Sequence, residues 1–123
     1  MFEDLILMRF SGFEIEMFLY LYPVSKKKFA EIDELLKYSI LDDSRIKELK
    51  SAKILYEKIN RLVEYWFNFL SESELQLIKY RYFNKFSYDH IAKLLCYQNH
   101  SSIIKHNRKI IKKIERGTYD RHN

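Results

Sequence analysis

The chain holds one proline and two glycines in 123 residues. So few breakers cannot punctuate the many short strands of a sandwich or barrel; they favour helices joined by short polar turns. Hydrophobic residues at 47% and aromatics at 16% suit a packed core, not a disordered chain. The expectation is an all-α helical bundle of five or six helices with a modest core. A lone cysteine, Cys96, excludes an internal disulfide and fits a reducing, cytoplasmic setting. Glu3, Asp4, Arg9, Glu14 and Glu16 interrupt the apolar N-terminus, so neither a signal peptide nor a membrane span is expected.

Residues 2–22 are dense in Leu, Ile, Met, Phe and Tyr, which predicts one or two short helices ended by Pro23. Lys26, Lys27 and Lys28 read as a solvated turn or a phosphate contact. A helix over about 27–40 then carries Phe29, Ile32, Leu35 and Leu36 at helical spacing. Asp42-Asp43-Ser44 offers an N-cap for a long helix, 44–70. Ala52, Leu55, Ile59, Leu62, Trp66 and Phe69 repeat along it at alternating three and four, beside a second stripe of Leu49, Tyr56, Val63, Phe67 and Leu70. The pattern fits a wide core face or the seam of a homodimer through helix 44–70, and the two can coexist.

Ser71-Glu72-Ser73-Glu74 is a capping box flanked by Leu70 and Leu75, predicting a new helix from about 72 to Phe83. After a turn at Asn84-Lys85-Phe86, Ser87 caps a helix over 88–96 with Ile91, Ala92, Leu94 and Leu95 inward. Asn99 caps a last helix over about 100–116, which Gly117 ends.

Charge is unevenly placed. Residues 1–43 carry five Lys/Arg against nine Asp/Glu, whereas residues 44–123 carry seventeen against eight. From Ser101 to Arg116 there are six basic residues and one acid. Such asymmetry points to a polyanion partner for the C-terminal half. Two short helices with a tight polar turn, the second strongly basic, describe a helix-turn-helix that docks on double-stranded DNA. Ile103, Ile110, Ile111 and Ile114 would pack inward. Asn99, His100, Ser101 and Ser102 would enter the major groove, Gln98 before them would be a further DNA-binding residue, and Lys105, Arg108, Lys109 and Lys112 would face phosphates. His106 reads as a phosphate contact or a plain surface residue, His90 as solvent-facing, and Cys96 as a small core residue.

The segment "ELQLIKYRYFNKFSYDHIAKLL" resembles the start of the helix-turn-helix in sigma factor region four, through Arg81-Tyr82-Phe83, Ser87-Tyr88 and Ile91-Ala92. Small phage transcriptional regulators of the RinA and ArpU type carry similar C-terminal modules. The second half, "NHSSIIKHNRKI", resembles the DNA-binding domain of the replication initiator DnaA. From Ile91 to Ser102-Ile103 the spacing is one residue longer than in sigma-type modules and matches DnaA. The resemblance covers residues 74–114 and implies that Asn99, His100 and Ser101 occupy base-reading positions. Ala92, Gln98, Asn99 and His106 depart from the DnaA pattern; these departures bear on which DNA sequence is read, not on the docking mode. Nothing resembles the DnaA ATPase domain.

Two regions are expected: 1–70, an acidic helical region for dimer or partner contact, and 71–123, the DNA-binding region. The expected function is a sequence-specific transcriptional regulator encoded by a phage or mobile element, acting by dimerisation or by contact with RNA polymerase through residues 1–43. A replication-associated origin binder and a protein–protein interaction module are the alternatives. No Cys-x-x-Cys or His-Glu-x-x-His pattern, Gly-rich phosphate loop, paired-carboxylate site or nucleophile–base arrangement occurs, so no metal, cofactor or enzyme activity is expected.

Overall fold

The computed structural model describes residues 5, 6 and 8–120, with the side chains of 119 and 120 excepted. The first residues of the helices expected over 2–22 therefore lie outside the described residues. The fold is all-helical. Among the described residues five helices run in order: α1 (Gly12–Tyr38), α2 (Asp43–Trp66), α3 (Glu72–Ile78), α4 (Tyr88–Leu94) and α5 (His100–Asp120). A 3-10 turn, Phe67–Phe69, follows α2, and a π-helical turn, Lys79–Phe83, extends α3. Among the described residues no helix is long and apolar enough to cross a membrane.

Helix α1 opens on a capping box. The Glu14 amide donates to Ser11 Oγ at 3.2 Å, and the Ser11 amide donates to Glu14 Oε1 at 2.9 Å. These bonds hold the Glu14 carboxyl below its ordinary range, the backbone bond contributing most. The helix then continues through Pro23, where the sequence predicts a stop. A proline inside a helix removes one amide donor and costs about 3 kcal/mol. Packing against α2 outweighs that cost and fuses the two expected segments into one helix. Lys26, Lys27 and Lys28 accordingly sit exposed within α1 and not in a turn.

α1 and α2 form an antiparallel hairpin with polar ties along its length. Tyr22 Oη donates to Glu64 Oε2 at 2.6 Å, and buried Ser25 donates to the Tyr56 carbonyl at 3.2 Å. Further out, Lys53 Nζ reaches Asp33 Oδ1 at 2.7 Å, and Lys37 reaches the other oxygen at 2.9 Å. The Lys53 bond, with that from Lys37, holds the Asp33 carboxyl below its ordinary range. Burial, reinforced by Glu64, pushes the Tyr22 phenol up.

Helix α2 starts one residue earlier than expected, with Asp42 accepting from the Arg45 amide at 2.7 Å. It also ends at Trp66 and not at residue 70; the chain tightens into the 3-10 turn so that Ser71 can cap α3. Leu49, Leu62, Val63 and Trp66, from both expected stripes, are buried inside this chain. That is the core-face alternative. Trp66 closes a triangle of edge-to-face rings, 5.5 Å from Phe10 and 6.1 Å from Phe18.

One core joins both expected regions. Ile15, Leu19, Leu62, Val63 and Trp66 from the hairpin pack with Leu77, Ile78, Tyr82, Ile91, Ile103, Ile110 and Ile114. Ile32 and Leu49 are buried farther out between α1 and α2, outside that cluster. The outer half of the hairpin is thus an arm held chiefly by its own two helices.

Candidate nucleic-acid interface

Local signals build the frame under α5. The Ser71 box forms as expected, with the Ser71 amide 2.8 Å from Glu74 Oε1 and the Glu74 amide 3.3 Å from Ser71 Oγ. Glu74 Oε1 also takes Lys113 at 2.7 Å, tying the start of α3 to α5. Burial pushes the Glu74 carboxyl up, but the Lys113 and Ser71 contacts together bring it below its ordinary range. The π turn ends where the Asn84 amide donates to the Lys79 carbonyl at 2.8 Å and Lys85 takes a left-handed φ of 58°. Ser87 then caps α4 by accepting from the His90 amide at 3.1 Å.

Between α4 and α5 the chain makes a Schellman ending. The Tyr97 amide donates to the Ala92 carbonyl at 2.8 Å and the Cys96 amide to the Lys93 carbonyl at 3.4 Å, with Cys96 at φ 60°. Cys96 therefore occupies the position that glycine usually fills, and it is exposed, not the core residue expected. Helix α4 stops at Leu94, two residues short of the expected 96, and Leu94 faces solvent. Asn99 Oδ1 accepts from the Ser102 amide at 3.1 Å and from Ser102 Oγ at 3.3 Å, so it caps α5.

Helix α5 is two-sided. Ile103, Asn107, Ile110, Ile111, Ile114 and Thr118 are buried. Ser101, Lys105, Arg108, Lys109, Lys112 and Arg116 are exposed, and their i, i+4, i+7, i+8, i+11 and i+15 spacing makes one outward stripe. Ser102, Lys105 and Lys109 line an open groove of about 290 Å³ with Tyr97 and His106. Lys109 and Lys112 also line a second groove of about 630 Å³, together with Phe69, Glu74, Lys113, Arg116 and Gly117. Lys105, Lys109 and Lys112 thus share one continuous surface, lengthened by Lys113 and Arg116, while Arg108 lines an adjoining groove with Lys112, Glu16 and Glu115.

Gly117 does not end the helix. A Cβ there would lie 2.9 Å from the Phe69 ring, so glycine is required by the close approach of the 3-10 turn to α5. With that contact satisfied, α5 runs on to Asp120.

At the start of α5, Gln98, Asn99, His100, Ser101 and Ser102 are all exposed. His100 differs from its neighbours. It turns toward α4, where its Nδ1 lies 2.9 Å from Asp89 Oδ1. His106 is half-buried, with Nδ1 2.7 Å from Tyr97 Oη, so it is tied to the turn and is not the plain surface residue of one expectation. His90 is exposed and stacks on Phe86 at 4.3 Å.

Asp89, Tyr97 and Asn107 were missed in the sequence. Asn107 is buried and donates from Nδ2 to Tyr82 Oη at 2.8 Å and Tyr88 Oη at 3.4 Å. Tyr82 Oη in turn donates to Glu16 Oε1 at 2.7 Å, linking α1, the π turn and α5. Burial pushes the Tyr82 phenol up; Glu16 reinforces the shift and the Asn107 amide partly offsets it. Arg81 donates to the Phe86 carbonyl at 3.1 Å, and its guanidinium lies 3.9 Å from the Tyr88 ring centre. Arg81, Tyr82, Ser87, Tyr88, Ile91 and Ala92, which carried the sigma-like resemblance, therefore set the relative placement of α3, α4 and α5. A polar residue at position 107 amid isoleucines is the signal that could have exposed this network.

Among the described residues no cluster of metal-ligating side chains occurs. No family model, curated protein or solved structure matches this chain.

Proposed function

We propose that α4 and α5 act as a helix-turn-helix that seats α5 in the major groove of duplex DNA, making the protein a sequence-specific transcriptional regulator of the phage or mobile-element kind. One observation carries the reading: α5 buries an isoleucine stripe and turns an unbroken basic stripe, Lys105 to Arg116, outward from an exposed polar N-terminus. Lysine and arginine along a docked helix neutralise phosphates, while short polar side chains at its start reach base edges. In this reading Asp89 fixes His100 through Nδ1, and Nε2 is the ring nitrogen offered to a base. Asn99 Oδ1 is engaged as the cap, so Asn99 offers a base its amide nitrogen. Origin binding remains the alternative, favoured by the longer connection that the Cys96 turn provides. Genome neighbourhood separates the two: late structural genes or a replication operon.

The test is the salt dependence of duplex binding. Each phosphate contact contributes about 0.9 to the slope of log K against log salt concentration. Lys105→Ala and Lys109→Ala should each flatten the slope by about that amount and weaken all sequences alike. Binding that does not change between about 50 and 200 mM salt would remove the reading.

A further inference from the structure

Helix α1 turns a second stripe away from the core. Leu21 (42% exposed), Val24 (49%), Leu35 (39%) and Tyr38 (80%) lie on its outer side, with Lys28 and Glu31 between the two apolar pairs. Spacings of 3, 4, 3, 4 and 3 keep these six on one face. The order is palindromic: apolar, apolar, cation, anion, apolar, apolar. A twofold interface presents the same patch from both partners and needs this kind of self-complementarity.

We propose that the outer face of α1 is the docking site of a second copy of this chain, running antiparallel. With the twofold axis between residues 29 and 30, Val24 meets Leu35 of the second copy and Leu21 meets its Tyr38. Lys28 meets Glu31, and the pair recurs symmetrically. Within one chain Lys28 and Glu31 already approach to 3.6 Å while both stay half-exposed, so four alternating charges form at the centre of the dimer. Lys27 and Glu34, seven residues apart on one flank of the stripe, again set opposite charges against each other across the axis. An open groove of about 520 Å³ lined by Glu31, Glu34, Leu35, Tyr38 and Ser39 offers the hole for Leu21 and Val24 of the second copy. Of the seam expected on α2, Leu62 and Trp66 are buried in the core while Leu55 stays exposed, whereas the whole α1 stripe lies outside the core. The proposal does not rest on DNA binding.

Sedimentation equilibrium of the full chain without DNA tests it. The wild type should reach dimer at concentrations up to on the order of 100 µM. Leu35→Glu, Lys28→Glu and Glu31→Lys should each weaken association about tenfold or more while keeping helicity and thermal midpoint, since all three sites are exposed. An equimolar mixture of Lys28→Glu and Glu31→Lys chains should pair again, because every cross-axis contact becomes opposite in sign. Lys105→Ala should associate as the wild type does. A wild type monomeric throughout overturns the proposal, as do single charge variants that dimerise normally or a folded mixture that stays monomeric.

Discussion

In the α3–α5 unit each helix boundary from the start of α3 to the start of α5 carries a device within six residues: the Ser71 box, Lys85 in the left-handed region, the Ser87 cap, the Cys96 turn and the Asn99 cap. The α1–α2 hairpin has caps only at its ends, and its middle is decided at long range. There α1 crosses Pro23, and α2 buries Leu62, Val63 and Trp66 against α1 and the C-terminal helices. Capping chemistry fixes an element whatever lies beyond it. A helix held by packing can override a local stop when the buried area outweighs about 3 kcal/mol. The comparison therefore predicts large losses from long-range contacts and small ones from caps.

Trp66→Ala should give the largest effect, a loss of about 3–5 kcal/mol, because Trp66 is fully buried where hairpin and C-terminal helices share their core. Chemical denaturation followed at two probes should show one transition lowered for both regions; two separated transitions would break the shared-core account. Gly117→Ala should follow, at about 1–3 kcal/mol, since its methyl group would meet Phe69 at 2.9 Å. A stabilising Gly117→Ala, as expected for a glycine in an open helix, would show that Phe69 can move aside. Ser71→Ala should cost about 1 kcal/mol. A loss matching that of Trp66→Ala would collapse the distinction between the two regions. Cys96→Gly should stabilise by about 1 kcal/mol, because a left-handed residue that is not glycine carries a penalty of that order. A thermal midpoint lowered by the substitution would contradict the assigned turn.

The same contrast explains what was legible in the sequence. Ser71, Ser87 and Asn99 announce their helices because a cap needs only a side chain and an amide three residues away. Ser11 and Glu14 form the same box and could have been read the same way. Pro23 and Gly117 misled because their meaning depends on partners far along the chain, α2 in one case and Phe69 in the other. The basic stripe of α5 was legible from helical spacing alone. The engagement of His100 by Asp89 was not, because it depends on how α4 and α5 meet, eleven residues apart.

Base reading by the start of α5 is the central claim, and selection from a random duplex pool tests it directly. Wild type, His100→Ala and Asn99→Asp should be compared at one salt concentration. His100→Ala should relax preference at a single base position, losing discrimination of about 1–3 kcal/mol, with its affinity for random DNA and its salt slope nearly unchanged. Asn99→Asp keeps the cap but changes the atoms offered, so it should shift the preferred base and preserve helix stability. Selected sequences identical for all three proteins would contradict the account and leave Asn99 and His100 as builders of the turn.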